Sequence, residues 1–317
     1  MRKDKIDSTE QNKMSKLTNS FMEEVRMDYK KLEIATHLGD LVAKEKLEKR
    51  FAKLEKLPIR DALGYSLTWC PEDIPKEKMV TIDMMYQMIK IIENNVEVKI
   101  EEESFHSCQI EGANTTLEET FNIFRARRTM TKGEQMVLNT YRAVKYLNIT
   151  GKRNEETLKN LWQVVTDGVC DNEHMATIEG FRIGNVRVGT HDAPEVEFIP
   201  YCMKQFFEFY HMELPMSPYI KVAILHFYFV YMHPFCDGNG RIARLLTSDY
   251  LIRSGLQNFS ALTISKTINE RVQEYYEALE QSENNFHDVT PFILYFLDCV
   301  YENLHEVLEK QNRDILR

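Results

Sequence analysis

Glycine and proline are scarce in this chain of 317 residues, which has 12 and 9 of them respectively. These two residue types interrupt regular secondary structure, so their scarcity argues against extensive irregular segments. Apolar residues recur at three- and four-residue spacing in almost every segment, which is the pattern of amphipathic helices. The sequence therefore predicts a mostly helical protein, and its 43% apolar content is enough to build a sizeable core.

The chain also lacks paired cysteines. Its six cysteines stand alone at positions 70, 108, 170, 202, 236 and 299, without a CxxC pair or a Cys/His ligand spacing. This distribution argues against a structural zinc site and against a redox pair. We expect ordinary thiols.

Long hydrophobic runs are absent as well. The N-terminal stretch MRKDKIDSTEQNKMSK has no signal-peptide apolar run. The longest apolar stretch, residues 222–232, is well short of the ~20 residues that span a bilayer. We therefore expect a soluble cytoplasmic protein without a membrane partner.

Positive charge is in deficit, with a formal net charge of −9. Residues 1–60 hold 15 Lys and Arg against 11 Asp and Glu, which leaves 25 against 38 for the remainder. Nucleic-acid binding by a whole surface needs clustered positive charge, so we expect no nucleic-acid partner. The mildly basic first part favours a solvated helix face.

The chain organisation predicted from these patterns is a helical N-terminal region followed by one larger domain. The first eighty residues have the pattern of charged amphipathic helices, which ends near Pro58. A turn-rich stretch follows, and we expect a domain boundary at 72–78. A long helical pattern then runs from Thr81 towards Glu111 and breaks at Gly112. The expected divisions are 1–77, 78–300 and a C-terminal helix or tail at 301–317.

A new helix is predicted after this break. Thr115 and Thr116 precede Glu118 and Glu119 with the spacing of a capping box, in which side chain and backbone cap each other at a helix start.

One segment breaks the helical pattern. Residues 181–200 alternate apolar and polar side chains at Val186 and Val188 and again at Val196 and Phe198, with GTHDAP between them. This alternation predicts a β-hairpin. The alternative is a surface loop that connects two helices.

The stretch HPFCDGNGRIAR, residues 233–244, lies between two predicted helices. A buried helix opens at Ser217 and Pro218 and leads into it, and an amphipathic helix that ends at Gly255 follows it. The glycines of the intervening loop bring backbone N–H groups to the N-terminus of the second helix. Together with the helix dipole, these groups predict an anion site.

The side chains in this stretch indicate which anion is bound. Asp237 offers a hard oxygen ligand for Mg²⁺, which usually binds through one or two carboxylates and substrate phosphates. Arg241 and Arg244 lie three residues apart on one helix and suit phosphate oxygens. His233 is a candidate general base. This chemistry predicts metal-assisted attack by a hydroxyl on a nucleotide phosphate, outside the P-loop class, because no GxxxxGK[ST] motif is present.

The same stretch resembles the Fic family signature HPFxxGNGRxxR at every fixed position, with Cys236 and Asp237 in its two variable places. The resemblance covers about residues 80–300. It implies an all-α Fic-fold helical bundle that transfers AMP from ATP to a side-chain hydroxyl of a protein and releases pyrophosphate. Asp at the second variable place is what AMP-transferring members carry.

Matched position by position, the resemblance also implies roles for the residues of the stretch. His233 would deprotonate the target hydroxyl, and Asp237 would hold Mg²⁺ between the α- and β-phosphates. The phosphates would lie against the residues of the glycine segment and the next helix: Gly238, Asn239, Gly240, Arg241 and Arg244. Of the two arginines, the first would contact the β-phosphate and the second the γ-phosphate.

Family members place a hairpin flap before the signature, where it aligns the target segment by strand-like pairing. Residues 181–200 resemble that flap. The positions that would pair with the target are Val186, Arg187, Val188 and Gly189.

A second resemblance concerns regulation. Within SFHSCQIEGANTT, residues 104–116, Ser107, Glu111 and Gly112 match the family's inhibitory pattern [ST]xxxE[GN]. The motif lies upstream of the signature, so the chain resembles the class whose inhibitory helix, here about 97–112, is N-terminal in the same chain. A carboxylate paired with Arg244 would compete with the γ-phosphate and leave ATP in a pose unsuited to in-line attack.

The resulting hypothesis is a protein adenylyltransferase autoinhibited by Glu111, with ATP as substrate and Mg²⁺ as cofactor. Its partner would be a target protein with a Ser, Thr or Tyr hydroxyl, which includes the chain itself. Two alternatives stay open. The same site could remove AMP from a modified protein, or the chain could be a regulatory module that binds nucleotide without turnover.

Overall fold

The computed structural model describes residues 29–89, 93–126, 131–170, 177–178, 180–284 and 287–315. Helices dominate these residues, as predicted. Their bounds are α1 Tyr29–His37, α2 Leu41–Phe51, α3 Lys76–Met88, α4 Glu93–Ile110, α5 Leu117–Ala126, α6 Lys132–Ile149, α7 Glu155–Thr166, α8 Ile199–His211, α9 Pro218–Met232, α10 Asn239–Arg253, α11 Ile264–Glu270, α12 Val272–Asn284 and α13 Thr290–Ile315. Three antiparallel strand pairs accompany them: β1 Glu55–Arg60 with β2 Ser66–Trp69, β3 Thr177–Ile178 with β4 Phe181–Arg182, and β5 Arg187–Val188 with β6 His191–Asp192.

The core is built around α9. This helix begins as predicted, with Ser217 as its N-cap and Pro218 in its first turn. Almost every residue of α9 is buried, because the helix packs against α8, α10 and α13. Its C-terminal end therefore places His233 at the edge of the main core.

The N-terminal region differs from the helical prediction. Pro58, expected near a helix end, lies inside strand β1, where Leu57 and Ile59 alternate with exposed neighbours and are buried. A turn with Gly64 at φ +88° reverses the chain into β2. Proline is tolerated there because each strand of a two-stranded sheet has a free edge. The alternation at 57–59 was the overlooked strand signal.

The β1–β2 hairpin and helix α2 pack onto the second half of the chain. Leu57, Ile59 and Leu67 belong to the same buried core as α9. The Arg50 guanidinium pairs with Asp288 at 2.6 Å. Side chains on both sides of the expected boundary at 72–78 thus share one core.

The long helical pattern before Gly112 forms two helices, α3 and α4, rather than one; residues 90–92 lie outside the described part of the chain. Helix α4 ends at Ile110, and Gly112 adopts φ +78° beyond it. The predicted capping box is confirmed, since Glu119 Oε2 accepts from the Thr116 N–H at 2.7 Å and Thr116 Oγ1 accepts from the Glu119 N–H at 3.2 Å.

The predicted hairpin within 181–200 is present but shorter than expected. Strands β5 and β6 pair antiparallel around a turn with Gly189 at φ +61°. The expected second arm is wrong: Val196–Phe198 forms a 3-10 helix that leads directly into α8. Both apolar side chains of that turn pack against the main core, which fixes them as a helix entry instead of a strand. We call residues 181–200 the flap.

All six cysteines are described, and each is a free thiol. None of the described helices is long and apolar enough to cross a membrane.

Candidate active site

The loop between α9 and α10 is closed by its own side chains. His233 caps α9 in the left-handed conformation at φ 45°, and Gly238 begins α10 at φ +82°. Asn239 is 2% exposed, and its amide bonds both backbone groups of Phe235: the Phe235 N–H donates to Oδ1 at 3.0 Å and Nδ2 donates to the carbonyl at 2.7 Å. The side chain of Asn239 therefore shapes the loop.

Two glycines permit close approach at the start of α10. Gly238 needs its positive φ, and a Cβ there would lie 3.2 Å from Val165 Cγ1. A Cβ on Gly240 would lie 2.1 Å from Glu111 Oε1. Only glycine lets a carboxylate lie this close to the backbone. The helix N-terminus beneath it offers the unpaired N–H groups expected of an anion site.

The two carboxylate oxygens of Asp237 have different partners. Its Oδ1 accepts from the Gly238 N–H at 2.6 Å and from Arg241 Nη2 at 3.1 Å. Among the described residues, the one partner of its Oδ2 is a weak donor, the Cys170 thiol, at 3.2 Å. Burial alone would raise the pKa of Asp237, but the Arg241 charge and these hydrogen bonds outweigh it and lower the pKa.

This arrangement fits Mg²⁺. The carboxylate is ionised, its side chain is 42% exposed, and within the described part of the chain a thiol is the only partner of one oxygen. In the described part of the chain no three His, Cys, Asp or Glu side chains cluster as a metal site. Mg²⁺ commonly binds through one carboxylate completed by water and substrate phosphates, so the donor set is sufficient only together with a phosphate ligand.

Arg241 is fully buried beside the loop. Its Nη1 donates to the Val165 carbonyl at 3.1 Å, and its Nη2 donates to Asp237. Its Nε is a buried donor with no hydrogen-bond partner among the described residues. A buried guanidinium with a spare donor favours an anionic ligand.

Arg244, one turn further along α10, is held by helix α4. Its Nε donates to Ser107 Oγ at 2.8 Å, and its Nη2 donates to the Ser107 carbonyl at 2.8 Å and to Glu111 Oε1 at 2.7 Å. Burial alone would lower the pKa of Arg244, but Glu111 outweighs it and raises the pKa. Nη1 has no partner in the described residues. Two of the three predicted inhibitory residues therefore contact Arg244 directly, and Gly112 ends their helix.

His233 is half-buried at the mouth of the loop. Burial lowers its pKa to about 4, so the imidazole is neutral at pH 7. Its Nδ1 lies 3.4 Å from the Val230 carbonyl. An N–H on Nδ1 that points to this carbonyl leaves the lone pair on Nε2.

A cavity of about 350 Å³ opens in front of His233. It is bounded by the start of α10, the flap and α12, and its lining includes Glu111, Val188, Gly189, His191, Gly240, Tyr275 and Tyr276. Two of the four predicted target-positioning residues line it. The other two do not, because the Val186 carbonyl accepts from the Ala193 N–H at 3.0 Å and Arg187 is directed to solvent.

Sequence reasoning missed two residues that hold this loop. Arg182, 1% exposed, donates from Nε to the His233 carbonyl at 2.8 Å and also bonds the carbonyls of Gly184 and Pro194. Trp162 donates from Nε1 to the Asp237 carbonyl at 3.1 Å and stacks on Phe235. Neither lies in a motif. The only available signal was that tryptophan is rare in this chain, with two copies.

Comparison with known proteins identifies the domain that carries this loop. Residues 151–251 match the Fic/DOC family. The chain is thus similar to this family over about a third of its length. It is 30% identical over 210 residues to the protein adenylyltransferase Fic of Drosophila willistoni, a match that covers 63% of this chain and 40% of that protein. The Fic relative of Culex quinquefasciatus matches at 30% over 211 residues, with the same coverage. The matches thus span about two fifths of the length of these relatives.

Solved structures show the same Fic fold. A Fic family protein from Desulfovibrio desulfuricans G20 superposes with a TM-score of 0.65 at 22% identity, covering 74% of each chain. Residues 134–508 of Fic-1 from C. elegans superpose with a TM-score of 0.58 at 19% identity, covering 75% of this chain and 72% of that one. The predicted mostly helical Fic fold with a small strand pair beside the site is confirmed.

Proposed function

We propose that this chain is a Fic/DOC family protein that transfers AMP from ATP to a side-chain hydroxyl of a protein and is restrained by its own Glu111. The observation that carries the proposal is the convergence at one helix N-terminus of a neutral histidine, an ionised aspartate and two buried arginines. This set matches the needs of a nucleotide phosphate and an attacking hydroxyl. The family's curated relatives bear the name of the same activity.

In this reaction His233 acts as the general base. Its Nε2 takes the proton of the target hydroxyl while that oxygen bonds to the α-phosphorus. The bond from the α-phosphorus to the oxygen shared with the β-phosphate breaks, and its electron pair leaves with pyrophosphate. The protonated imidazole then releases its proton to solvent. A pKa near 4 keeps His233 ready to accept a proton throughout the neutral range.

The remaining residues bind and orient the phosphates. The backbone N–H groups at the start of α10 and the spare Nε of Arg241 would contact phosphate oxygens. Asp237 would hold Mg²⁺, which when bound neutralises phosphate charge. Holding these oxygens in place aligns the α-phosphorus with the hydroxyl.

Autoinhibition follows from the partners of Arg244. Glu111 occupies the Nη2 that a γ-phosphate would need, and its Oε1 lies against Gly240 at the start of α10. A γ-phosphate in this position would meet both a carboxylate charge and an occupied guanidinium. Substitution of Glu111 should free Arg244 and allow the productive pose.

The proposal is tested by incorporation of α-labelled ATP into protein in the presence of Mg²⁺. Wild type should label weakly, Glu111→Gly strongly, and Glu111→Gly/His233→Ala only at background. Removing a general base typically lowers a rate by about 10²–10⁴-fold. Absence of label in all three proteins, with nucleotide still bound, would refute AMP transfer. Equal labelling by wild type and Glu111→Gly would refute autoinhibition alone.

Removal of AMP from a modified protein is the second candidate. Glu111 lines the same cavity as His233 and is 32% exposed, so its carboxylate is placed to orient a water. In that case wild type should release AMP from protein that Glu111→Gly has labelled, and Glu111→Gly should not. Release by both proteins would exclude this role for Glu111.

A further inference from the structure

His191, at the tip of the flap, contacts two hydrogen-bond acceptors at once. Its Nδ1 lies 2.6 Å from Glu283 Oε1 on α12, and its Nε2 lies 2.8 Å from the Tyr231 carbonyl in the last turn of α9. A neutral imidazole has one N–H and satisfies only one acceptor. Both contacts are satisfied when both ring nitrogens carry hydrogen. Because a carboxylic acid is a stronger acid than an imidazolium, the extra proton belongs to the ring.

The position of His191 connects the flap to the catalytic end of α9. Its partner Tyr231 is two residues before His233. The neighbouring Thr190 donates to Glu280 Oε1 at 3.1 Å, so two consecutive flap residues are tied to α12. The His191 side chain is 14% exposed, whereas the Thr190–Glu280 contact lies at the surface. His191 is therefore the buried member of this attachment.

The charges around the ring favour a cation. Glu283 and Glu280 face it from α12, and Asp192 lies beside it on its own strand. Arg187 on the paired strand is directed to Asp192 at 3.6 Å and does not contact the ring. Across the cavity lie Glu111 and the neutral His233.

The direction of the His191 pKa agrees with this geometry. Burial alone would lower it, but the hydrogen bond to Glu283 and its charge outweigh burial and raise it above the ordinary histidine value.

We propose that His191, as an imidazolium, is a positioning residue that fixes the flap against α12 and the end of α9. Deprotonation leaves one lone pair facing an acceptor, so one of the two attachments must break. The stabilisation is complete below the ordinary histidine pKa and is lost as pH rises through the raised one. The effect on AMP transfer rests on the proposed function, whereas the protonation state and the attachment of the flap do not.

Nitrogen NMR of the histidine rings tests the protonation directly in the full chain. The His191 signal is assigned by its disappearance in His191→Gln. At pH 6 both of its nitrogens should show the shift of protonated imidazole. In Glu283→Gln, which keeps a hydrogen-bond acceptor but removes the charge, the midpoint should fall by roughly one pH unit or more. A neutral single tautomer in wild type at pH 6.5 would overturn the proposal.

Hydrogen exchange of the flap amides tests the positioning, with Glu197→Gln as the matched control because it removes an exposed flap charge and leaves His191 intact. At pH 6, His191→Gln should raise the exchange of residues 183–193 about tenfold, and Glu197→Gln should not. Unchanged exchange in His191→Gln would overturn the positioning role.

In the Glu111→Gly background, self-labelling from α-labelled ATP should fall at alkaline pH with the wild-type flap and with Glu197→Gln. His191→Gln should abolish this pH dependence. If labelling by His191→Gln falls identically at alkaline pH, the decrease is caused by a group other than His191. If no protein labels, the proposed function fails, while the NMR and exchange results still decide the role of His191.

Discussion

The loop between α9 and α10 and the flap face each other across one cavity, but their bonds differ in sequence range. In the loop, Asn239 bonds Phe235 and Arg241 bonds Asp237, each across four residues of sequence. In the flap, His191 reaches Glu283 across 92 residues. The turn of the loop is thus shaped by bonds between its own residues and anchored from outside by Arg182 and Trp162, whereas the flap is positioned by contacts to distant helices.

A substitution that breaks the connection between the loop and the flap should have the largest effect on stability. Arg182 joins them, since its guanidinium bonds the His233 carbonyl on one side and flap carbonyls on the other. Arg182→Met would leave these buried acceptors without a donor. We expect a loss of about 3 kcal/mol or more in the free energy of unfolding, measured by chemical denaturation.

The matched control is Arg187→Met, in the same flap. The Arg187 side chain is 67% exposed, and its contacts to Asp192 and the Gly189 carbonyl lie at the surface, so its substitution should change stability by no more than about 0.5 kcal/mol. Equal losses in the two variants would show that the flap is not anchored through Arg182.

The self-sufficiency of the loop is tested by Asn239→Ala. The substitution removes both hydrogen bonds to the Phe235 backbone and should destabilise the protein by about 2 kcal/mol. In the Glu111→Gly background, labelling should fall in parallel, because His233 and Asp237 flank the distorted turn. Asn239→Asp keeps one acceptor but loses the donor to the Phe235 carbonyl, so it should rescue neither property. Full labelling by either variant would show that the loop is shaped from outside.

The same difference between local and long-range contacts determines which features could be predicted from the sequence. The helix starts at Ser217 and Thr116 and the roles suggested for the 233–244 stretch depend on residues within a few positions of each other. Local spacing carries that information. The pairing of Arg244 with Glu111, across 133 residues, was expected only through family resemblance. The hydrogen bond from Arg244 to Ser107 was not expected.

Features that depend on distant packing were missed or mispredicted. The β1–β2 hairpin was assigned to helix because lysines and glutamates dominate the flanking segments, while the contacts of Leu57 and Ile59 lie in the distant core. Val196 and Phe198 fit a strand pattern equally well until α8 fixes them as its entry. Nothing near Arg182 or Trp162 in sequence indicates that they bond the loop.

The loop and the flap each contain a histidine, and the pKa values of the two are shifted in opposite directions. Labelling should therefore depend on pH differently through each region. Burial lowers the pKa of His233 in the loop to about 4, and Glu283 raises that of His191 in the flap. In Glu111→Gly, labelling should fall as pH decreases from about 6 towards 4, where His233 becomes protonated. The unfolded chain binds the His233 proton near pH 6.5, so this group also lowers stability as pH falls from there towards 4.

The double variant Glu111→Gly/His191→Gln separates the two limbs. It should keep the acid limb, which belongs to the loop, and lose the alkaline one. An acid midpoint near 6.5 in Glu111→Gly would mean that His233 is not desolvated in the working enzyme.

The smallest expected effect concerns helix α4, the other long-range partner of the loop. Ser107→Ala removes the acceptor of Arg244 Nε but leaves the Ser107 carbonyl and Glu111 in contact with the same guanidinium. We expect a destabilisation of about 1 kcal/mol and a labelling rate a few-fold above wild type, well below that of Glu111→Gly.

Ser104→Ala is the matched control, because this serine is buried one turn earlier on α4 and donates only to the Ile100 carbonyl of its own helix. It should lose similar stability without any gain in labelling. If both variants label faster than wild type, the loss of inhibition results from a loosened helix α4. If neither does, Glu111 alone provides the inhibition. A gain confined to Ser107→Ala would show that α4 restrains the loop through the Arg244 contact itself, as distant packing positions the flap.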